Sequence, residues 1–188
     1  MEQHVLPVIK DWKQFNRFMD SELTWGILLG FHINFLADLF QQAKKKKKKL
    51  MVHMDLTHGL ANDPFGAQYL IQTLRCDGII STKGKVIACA KKHHCLAILR
   101  LFLIDSDSVE KGCALANQVQ SDYLELLPAM CAHGVVRVRQ YSDLPLIGGG
   151  LISSIQDIDA CLAQGMCAVT TSNFALCEEY MRKRGDKG

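Results

Sequence analysis

Long hydrophobic runs are missing from this 188-residue sequence, and none approaches the length of a membrane span. The first residues, MEQHVLPVIKDWK, also lack a basic segment followed by an apolar core, so we expect no signal peptide and a cytoplasmic location. A large excess of one charge is absent as well, because 22 Lys and Arg face 19 Asp and Glu. The resulting net charge of +3 is too small to argue by itself for nucleic-acid binding.

Cysteines are present, but they lack the spacing of a metal site. No two of them form a CxxC pair, and the adjacent His93, His94 and Cys95 would diverge on any regular element. Without secretion we expect reduced thiols that behave as small buried apolar residues. This spacing predicts no metal site, and we expect no cofactor; whether a divalent cation accompanies a bound ligand stays open. The cysteines are Cys76, Cys89, Cys95, Cys113, Cys131, Cys161, Cys167 and Cys177.

Short apolar runs alternate with helical patterns along the chain. The runs are continuous rather than alternating, which is typical of parallel strands covered by helices on both faces. Repeated alternation of strand and helix implies right-handed crossovers and a parallel sheet. The predicted strands are Val5–Ile9, Trp25–Leu29, Leu50–Asp55, Gly78–Ser81, Ala97–Ile104, Tyr123–Leu127, Leu146–Ile147 and Ala168–Thr170.

These alternations predict an α/β protein with a TIM-like (β/α)8 barrel, in a single domain over residues 1–184 with a disordered tail at 185–188. The chain is short for this fold, because typical barrels have about 250 residues. We therefore expect a compact barrel with short helices and loops, in which the sixth helix, within Met130–Tyr141, could be missing or degenerate. An open doubly wound sheet is the alternative architecture.

The stretch from Leu144 to Asn173 carries the main candidate site. It reads as an apolar strand, three glycines, a helix with a capping-box pattern, Gly165 and a second apolar strand. Glycines let an incoming group approach the backbone, helix N-termini bind anions, and barrels hold phosphates with the loops after strands seven and eight. Two tight turns with helix caps are the alternative interpretation. The predicted phosphate-binding residues are Gly148, Gly149, Gly150, Thr171, Ser172 and Asn173.

Ionisable residues occur on or just after several predicted strands. Such side chains are almost never fully buried unless they are paired, and the carboxyl ends of barrel strands are where ligand sites lie. His53 and Asp55 are two residues apart, so they are predicted to face the same way. A structural pair between an arginine and a carboxylate within the barrel is the alternative. The predicted polar ligand contacts are His32, Asp55, Lys83, Arg100 and Glu125.

Six consecutive lysines, Lys44 to Lys49, follow the second predicted helix. Lysines can neutralise RNA phosphates, but a run of this kind is more often a solvated helix end, where cations suit the helix dipole. No aromatic residues are interleaved, which weakens the case for a surface that stacks on single-stranded RNA.

Several segments, in order along nearly the whole chain, match a known family. On these residues the chain resembles the glycerol-3-phosphate-responsive antiterminators of bacterial glycerol uptake operons. It departs from the family pattern at Phe35, where a glutamine is frequent, and at Ala129, where a glycine is usual. The matching segments are the one around His32, VHMDLTHGLANDP from Val52 to Pro64, DGIISTKG from Asp77 to Gly84, AILRLFLIDS from Ala97 to Ser106, ELLP from Glu125 to Pro128, GGGLISS from Gly148 to Ser154 and AVTTSN from Ala168 to Asn173.

The resemblance implies a barrel-like fold and a regulator without a catalytic role. Such a regulator binds glycerol 3-phosphate and acts on the leader mRNA of glycerol operons, by preventing termination or stabilising the message. The expected partners are therefore glycerol 3-phosphate and that leader, with no membrane; the oligomeric state is open and includes a homo-oligomer. No RRM or KH signature identifies the RNA-contacting surface.

Two other functions stay open from the residues alone. One is an enzyme acting on a small phosphorylated substrate, with Asp55 or Glu125 as base and Lys83 as electrophile or Schiff-base lysine. The barrel fold supports many chemistries, so the fold does not decide between regulator and enzyme. The other is a sensor that acts through a protein partner rather than RNA.

Overall fold

Eight parallel strands form a closed barrel within residues 3–129 and 132–185, the part of the chain that the computed structural model describes. Each strand pairs with the next, and β8 pairs with β1 to close the barrel, with Val5 opposite Val169. The predicted (β/α)8 barrel is confirmed, and the open-sheet alternative is wrong. The strands are β1 (Val5–Ile9), β2 (Trp25–Leu28), β3 (Lys49–His53), β4 (Gly78–Ser81), β5 (Leu96–Phe102), β6 (Tyr123–Leu127), β7 (Leu146–Gly149) and β8 (Met166–Thr171).

A helix follows every strand, and most of the helices are short, as the length of the chain requires. The third continues into a wider π-helical turn, Tyr69–Thr73, and the sixth is present with eight residues, so it is short rather than missing. The last helix includes Gly185, and residues 186–188 of the predicted tail lie outside the described residues. The helices are α1 (Trp12–Asp20), α2 (Ile33–Lys45), α3 (Pro64–Gln68), α4 (Gly84–Lys92), α5 (Ser106–Gln118), α6 (Ala132–Arg139), α7 (Ile155–Ala163) and α8 (Phe174–Gly185).

The apolar side chains divide into two layers, because successive side chains of a strand point to opposite faces. One layer lies between the strands and the helices, and the other fills the interior of the barrel. Burying one aliphatic side chain contributes about 1.5–3 kcal/mol, so both layers stabilise the barrel. The interior layer is formed by Leu6, Val8, Ile27, Met51, Ile80, Ile98, Ile147 and Ala168.

The end of β3 differs from the prediction. The strand stops at His53, and Asp55 lies in a 3-10 turn over Met54–Leu56. Met51 packs inside the barrel, so His53, two residues further along the same strand, also points inward. Asp55 instead reaches across to the loop after β4, so the prediction that His53 and Asp55 lie on one strand face is wrong.

Side-chain caps begin the helices that start at the carboxyl ends of the strands. Asp11 accepts from the amide of Gln14 at the start of α1. Asp105 with Ser108, and Ser154 with Asp157, form complete capping boxes for α5 and α7. Replacing such a cap by alanine costs about 0.5–2 kcal/mol, so these residues fix where each βα loop ends. The capping box predicted at Ser154 is confirmed.

Candidate functional site

A cavity of about 550 Å³ opens at the carboxyl ends of β1, β5, β7 and β8. Such a volume lies in the range of small-molecule sites. Apolar side chains from the barrel interior form part of its wall, including Val8 and Leu29. Its polar lining comes from the residue after β1, from one inward-facing arginine, from the end of β8, and from the loops after β7 and β8. These polar residues are Lys10, Arg100, Ser153, Thr170, Thr171 and Ser172.

The loops after β7 and β8 form the rim of this cavity. Gly150 turns the chain out of β7 with a positive φ of 76°, a conformation that glycine adopts at little cost. The hydroxyl of Thr171 donates to the carbonyl of Ile152 at 3.1 Å, which ties the two loops together. Ser172 is exposed and lines the cavity. This rim is the place where the sequence predicts a phosphate.

The amides at the start of α7 are partly engaged within the chain. One carboxylate oxygen of Asp157 accepts from the backbone amides of Ser153 and Ser154, both at 2.9 Å. Hydrogen bonds from these two serines hold the pKa of Asp157 below its usual value, so the group is ionised at neutral pH. A phosphate at this rim would therefore depend on cationic and hydroxyl side chains as well as on the backbone.

Two glycines of the predicted triplet lie within β7 and are buried. A Cβ on Gly149 would stand 2.8 Å from the Thr170 hydroxyl and 3.0 Å from a Glu125 carboxylate oxygen. On the other face, a Cβ on Gly148 would stand 2.5 Å from the sulfur of Met166. Close packing requires glycine at both positions, and of the triplet only Gly150 lines the cavity.

Asn173, the last residue of the predicted phosphate loops, caps α8. Its side-chain oxygen accepts from the amide of Leu176, and its own amide donates to Thr171, both at 3.2 Å. Asn173 is not part of the cavity lining. Of the six residues predicted to bind phosphate, the structure places Gly150, Thr171 and Ser172 in the cavity wall.

A buried ion pair lies beneath the rim. Arg100 Nε donates to Glu125 Oε2 at 2.7 Å, and the Thr170 hydroxyl donates to Glu125 Oε1 at 2.9 Å. The arginine side chain is 10% exposed, whereas that of Glu125 is fully buried. Arg100 and Thr170 line the cavity, so the pair is at once the structural pair that the sequence allowed and part of the wall of the candidate site.

His53 is a buried polar residue that was absent from the predicted site. It is 2% exposed, and neither ring nitrogen has a hydrogen-bond partner among the described residues. Burial lowers its pKa and the positive charge of Arg100 lowers it further, against opposing effects of Glu125 and Asp55. The ring is therefore neutral at pH 7 and offers one donor and one acceptor inside the barrel. Its inward position two residues after Met51 is the signal that could have identified it.

Asp55 lies in a separate network at the ends of β3 and β4. It accepts from the amide and hydroxyl of Thr82, both at 2.8 Å, from Asn62 at 3.0 Å, and from the hydroxyl of Ser81. Burial raises its pKa, but these hydrogen bonds outweigh burial and hold the pKa below the usual value. Lys83 Nζ donates to the Asn62 carbonyl at 2.9 Å, so it belongs to this network rather than to the cavity.

His32 also lies away from the cavity. It is exposed and caps α2, since its Nδ1 accepts from the amide of Asn34 at 3.2 Å. Thus the structure brings Arg100 and Glu125 together, but it places His32, Asp55 and Lys83 at the ends of β2, β3 and β4.

Lys10 is a cavity residue that was absent from the predicted site. It directly follows β1, its side chain is exposed, and it lines the cavity. The rule used for the other candidates, that polar residues after a barrel strand lie at the mouth, would have identified it.

The described residues contain no group of three or more His, Cys, Asp or Glu side chains that could hold a metal ion. Seven cysteines are free, and Cys131 lies outside the described residues. Burial raises the pKa of Cys177 to about 12, which keeps this thiol protonated. No helix of the described part of the chain has the length and apolar character needed to span a membrane.

Comparisons with known proteins agree with the fold and extend it to a family. The chain has a TM-score of 0.87 and 39% identity with the glycerol uptake operon antiterminator regulatory protein from Listeria monocytogenes, over 92% of this chain and 94% of that one. It has a TM-score of 0.81 and 25% identity with a related protein from Thermotoga maritima, over 94% and 99%. An aldolase, QR15, has a TM-score of 0.76 with 9% identity, which shows the fold alone.

Sequence comparisons identify the same family. An uncharacterised Escherichia coli K12 protein, YgcP, is 29% identical over 169 residues, or 90% of this chain and 88% of the relative. The family model for the glycerol-3-phosphate responsive antiterminator matches residues 5–177, which is nearly the whole chain. The chain therefore belongs to the glycerol-3-phosphate responsive antiterminator family.

Proposed function

We propose that this chain is a non-catalytic regulator that binds glycerol 3-phosphate at the barrel mouth and acts on the leader mRNA of glycerol uptake and utilisation genes. The observation that carries the proposal is the cavity at the ends of β1, β5, β7 and β8. It combines two cationic side chains, Lys10 and Arg100, with the exposed hydroxyl of Ser172. This lining suits a ligand with an anionic end and a hydroxylated end.

The phosphate is assigned to the rim. There Lys10 supplies a positive charge and Ser172 supplies a hydroxyl donor, whereas the Ser153 hydroxyl already donates to Asp157 at 2.9 Å. Charge-assisted hydrogen bonds of this kind are shorter and roughly twice as strong as neutral ones. The turn at Gly150 lets the ligand approach the backbone without meeting a side chain.

The glycerol end is assigned to the barrel interior beneath the rim. Arg100 uses Nε for Glu125, and a guanidinium has further N–H groups that can face the cavity. Thr170 lines the same wall, and the unpartnered ring of His53 lies inside the barrel, close enough to Arg100 for that charge to lower its pKa. Hydroxyls entering this space would satisfy buried polar groups, and a site built to hydrogen-bond a hydroxyl discriminates strongly against analogues that lack it.

The groups that an enzyme would need are committed to other contacts. Asp55 receives four hydrogen bonds and has a lowered pKa, which makes it a poor base. Glu125 is held between Arg100 and Thr170, and Lys83 is exposed and bonded to the Asn62 carbonyl. These contacts support a binding role rather than acid–base or Schiff-base chemistry.

Regulation requires that the ligand distinguish two states of the protein. A ligand shifts an equilibrium only by its difference in affinity between the states, so glycerol 3-phosphate must bind the RNA-competent state more tightly. By linkage, RNA must then raise the affinity for glycerol 3-phosphate by the same factor.

Calorimetric titration of the purified protein with glycerol 3-phosphate tests the ligand assignment, with glycerol and inorganic phosphate as controls. We expect saturable binding that needs both ends of the ligand, and no turnover of glycerol 3-phosphate or triose phosphates. Equal affinity for inorganic phosphate alone would refute the hydroxyl contacts, and measurable turnover would favour the enzyme.

A further inference from the structure

The face opposite the mouth carries a cluster of exposed cations. It is formed by the loops that enter the amino ends of β3, β4 and β5. The Asp77 carboxylate accepts from the amide of Leu50 at 2.8 Å, and the Asp77 carbonyl accepts from the amide of Leu96 at 3.4 Å, so these loops are contiguous. The cluster, termed the basic face, comprises Lys44, Lys45, Lys47, Arg75 and Lys92, and His94 lies next to it in the chain segment before β5.

The lysine run divides into structural and unpaired residues. Lys46 Nζ pairs with Asp20 at 2.7 Å, and Lys48 Nζ donates to backbone carbonyls that include Leu23 at 2.7 Å. The Lys49 ammonium lies 4.8 Å from the centroid of the Trp25 ring. These three lysines contact the barrel and hold the loop before β3 in place. The interpretation of the run as a solvated helix end is therefore only partly correct, because it does not apply to them.

The other three lysines of the run, Lys44, Lys45 and Lys47, are exposed. Within residues 3–129 and 132–185 their side chains form no hydrogen bond or salt bridge, and the same holds for the side chains of Arg75 and Lys92. Lys44 is attracted to the nearby Asp77 carboxylate, and the other charges are free to meet a partner.

The helix dipole explains only part of this cluster. Cations in the last turn of a helix are favourable, which accounts for Lys44, Lys45 and Lys92. Lys47, Arg75 and His94, however, follow their helices with φ of 56°, 58° and 56°. Glycine is the usual residue at such left-handed positions, because side chains are strained there. Three basic side chains thus occupy positions where glycine would cost less.

The chemistry of the face indicates what kind of partner it suits. None of the large exposed apolar side chains of the described chain lies in these three loops. Unpaired bases are bound mainly by stacking on aromatic rings, whereas double-stranded RNA is recognised through its shape and its phosphates. The unpaired cations of this face are not interleaved with exposed aromatic rings, and they therefore fit a base-paired segment.

We propose that the basic face binds a base-paired segment of RNA through its phosphates. The inference rests on the proposed function, in which the chain acts on a leader mRNA, and it adds the surface and the form of the RNA. It places RNA and effector on opposite ends of the barrel, so the effector would act across the strands rather than by touching the RNA.

Two triple variants with the same net charge test this surface. K44A/K45A/K92A removes three unpaired cations of the basic face, and K13A/K85A/K111A removes three exposed lysines elsewhere. Binding of a glycerol operon leader transcript is measured with saturating glycerol 3-phosphate, from about 50 to 200 mM salt. Contacts with RNA phosphates make the logarithm of the affinity fall linearly with the logarithm of the salt concentration, and the slope reports their number. A hairpin stem of about 16 base pairs and a single strand of equal length are the simpler probes.

We expect K44A/K45A/K92A to lose about 10- to 100-fold in RNA affinity. The magnitude of the slope of log affinity against log salt concentration should fall by about 2–3, because about one unit is lost with each phosphate contact. K13A/K85A/K111A should stay within about twofold of the unmodified protein, and both variants should keep their glycerol 3-phosphate affinity.

Other results would overturn the inference. Unchanged affinity and slope in K44A/K45A/K92A, or an equal loss in both variants, would exclude the basic face as the binding surface. Tighter binding of the single strand than of the hairpin would refute the preference for paired RNA. If the unmodified protein bound no leader RNA with or without effector, the proposed function itself would fail.

Discussion

The two halves of the barrel mouth use polar residues in different ways. At the ends of β2, β3 and β4, here the network half, Asp55 and Lys83 are hydrogen-bonded to neighbouring loops. At the ends of β1, β5, β7 and β8, here the cavity half, Lys10 and Arg100 face an open space. A polar residue after a strand therefore indicates a site only where its hydrogen-bonding capacity is not already used within the chain.

Breaking the ion pair of the cavity half should have the largest effect. Arg100→Met leaves the fully buried Glu125 with only the Thr170 hydroxyl, and removing one partner of a buried pair costs about 3–5 kcal/mol. We expect that loss in urea denaturation, together with loss of glycerol 3-phosphate binding. The double variant Arg100→Met/Glu125→Gln should recover stability but not binding. Retained affinity in folded Arg100→Met would make the pair purely structural.

Removing the central carboxylate of the network half should affect stability without affecting ligand binding. Asp55→Ala leaves the amide of Thr82 and the side chain of Asn62 without their acceptor, which costs about 1–3 kcal/mol. Urea denaturation should show this loss, whereas calorimetry should give a glycerol 3-phosphate affinity within about twofold of the unmodified protein. A large loss of affinity in the folded variant would extend the site into the network half.

Removing the exposed lysine of the cavity half should have the opposite effect. Lys10→Ala is expected to weaken glycerol 3-phosphate binding about tenfold, because a charge-assisted hydrogen bond contributes about 1.5–3 kcal/mol and an exposed lysine lies at the lower end of that range. Stability should change little, because the side chain is exposed. The control is Lys13→Ala, which removes a different exposed lysine, in the first turn of α1. Equal losses of affinity in the two variants would mean that Lys10 acts only through general electrostatic attraction.

Lowering the pH should decrease the free energy of unfolding through His53, and we expect this to be the smallest of the four effects. Burial and Arg100 lower its folded pKa below the usual 6.5, so the unfolded chain takes up the proton first as pH falls. The stability associated with the neutral ring is present above pH 6.5 and is lost progressively below it. Urea denaturation of His53→Asn between about pH 7 and pH 5 should show a shallower decline than the unmodified protein, because the unfolded-state pKa of His is about 6.5.

The control for His53 is His58→Asn, which changes an exposed histidine. Its pH profile should match that of the unmodified protein. The account of His53 would be contradicted if both variants declined with pH in the same way.

The sequence predicts the barrel well because its signals are local. Apolar runs identified every strand, and Ser154 with Asp157 identified a helix start. The site was harder, because its contacts join distant residues. Glu125 meets Thr170 across 45 positions, and no local pattern shows that Gly149 makes room for both. Three consecutive glycines predict a loop, although Gly148 and Gly149 are packed residues of β7.

The measurement that tests the site most directly is an amide NMR titration with glycerol 3-phosphate. We predict saturable shifts at Gly150, Ser172 and Arg100, and little change at Asp55 or Thr82. Shifts centred on the network half, with the cavity half unchanged, would contradict the site proposed here.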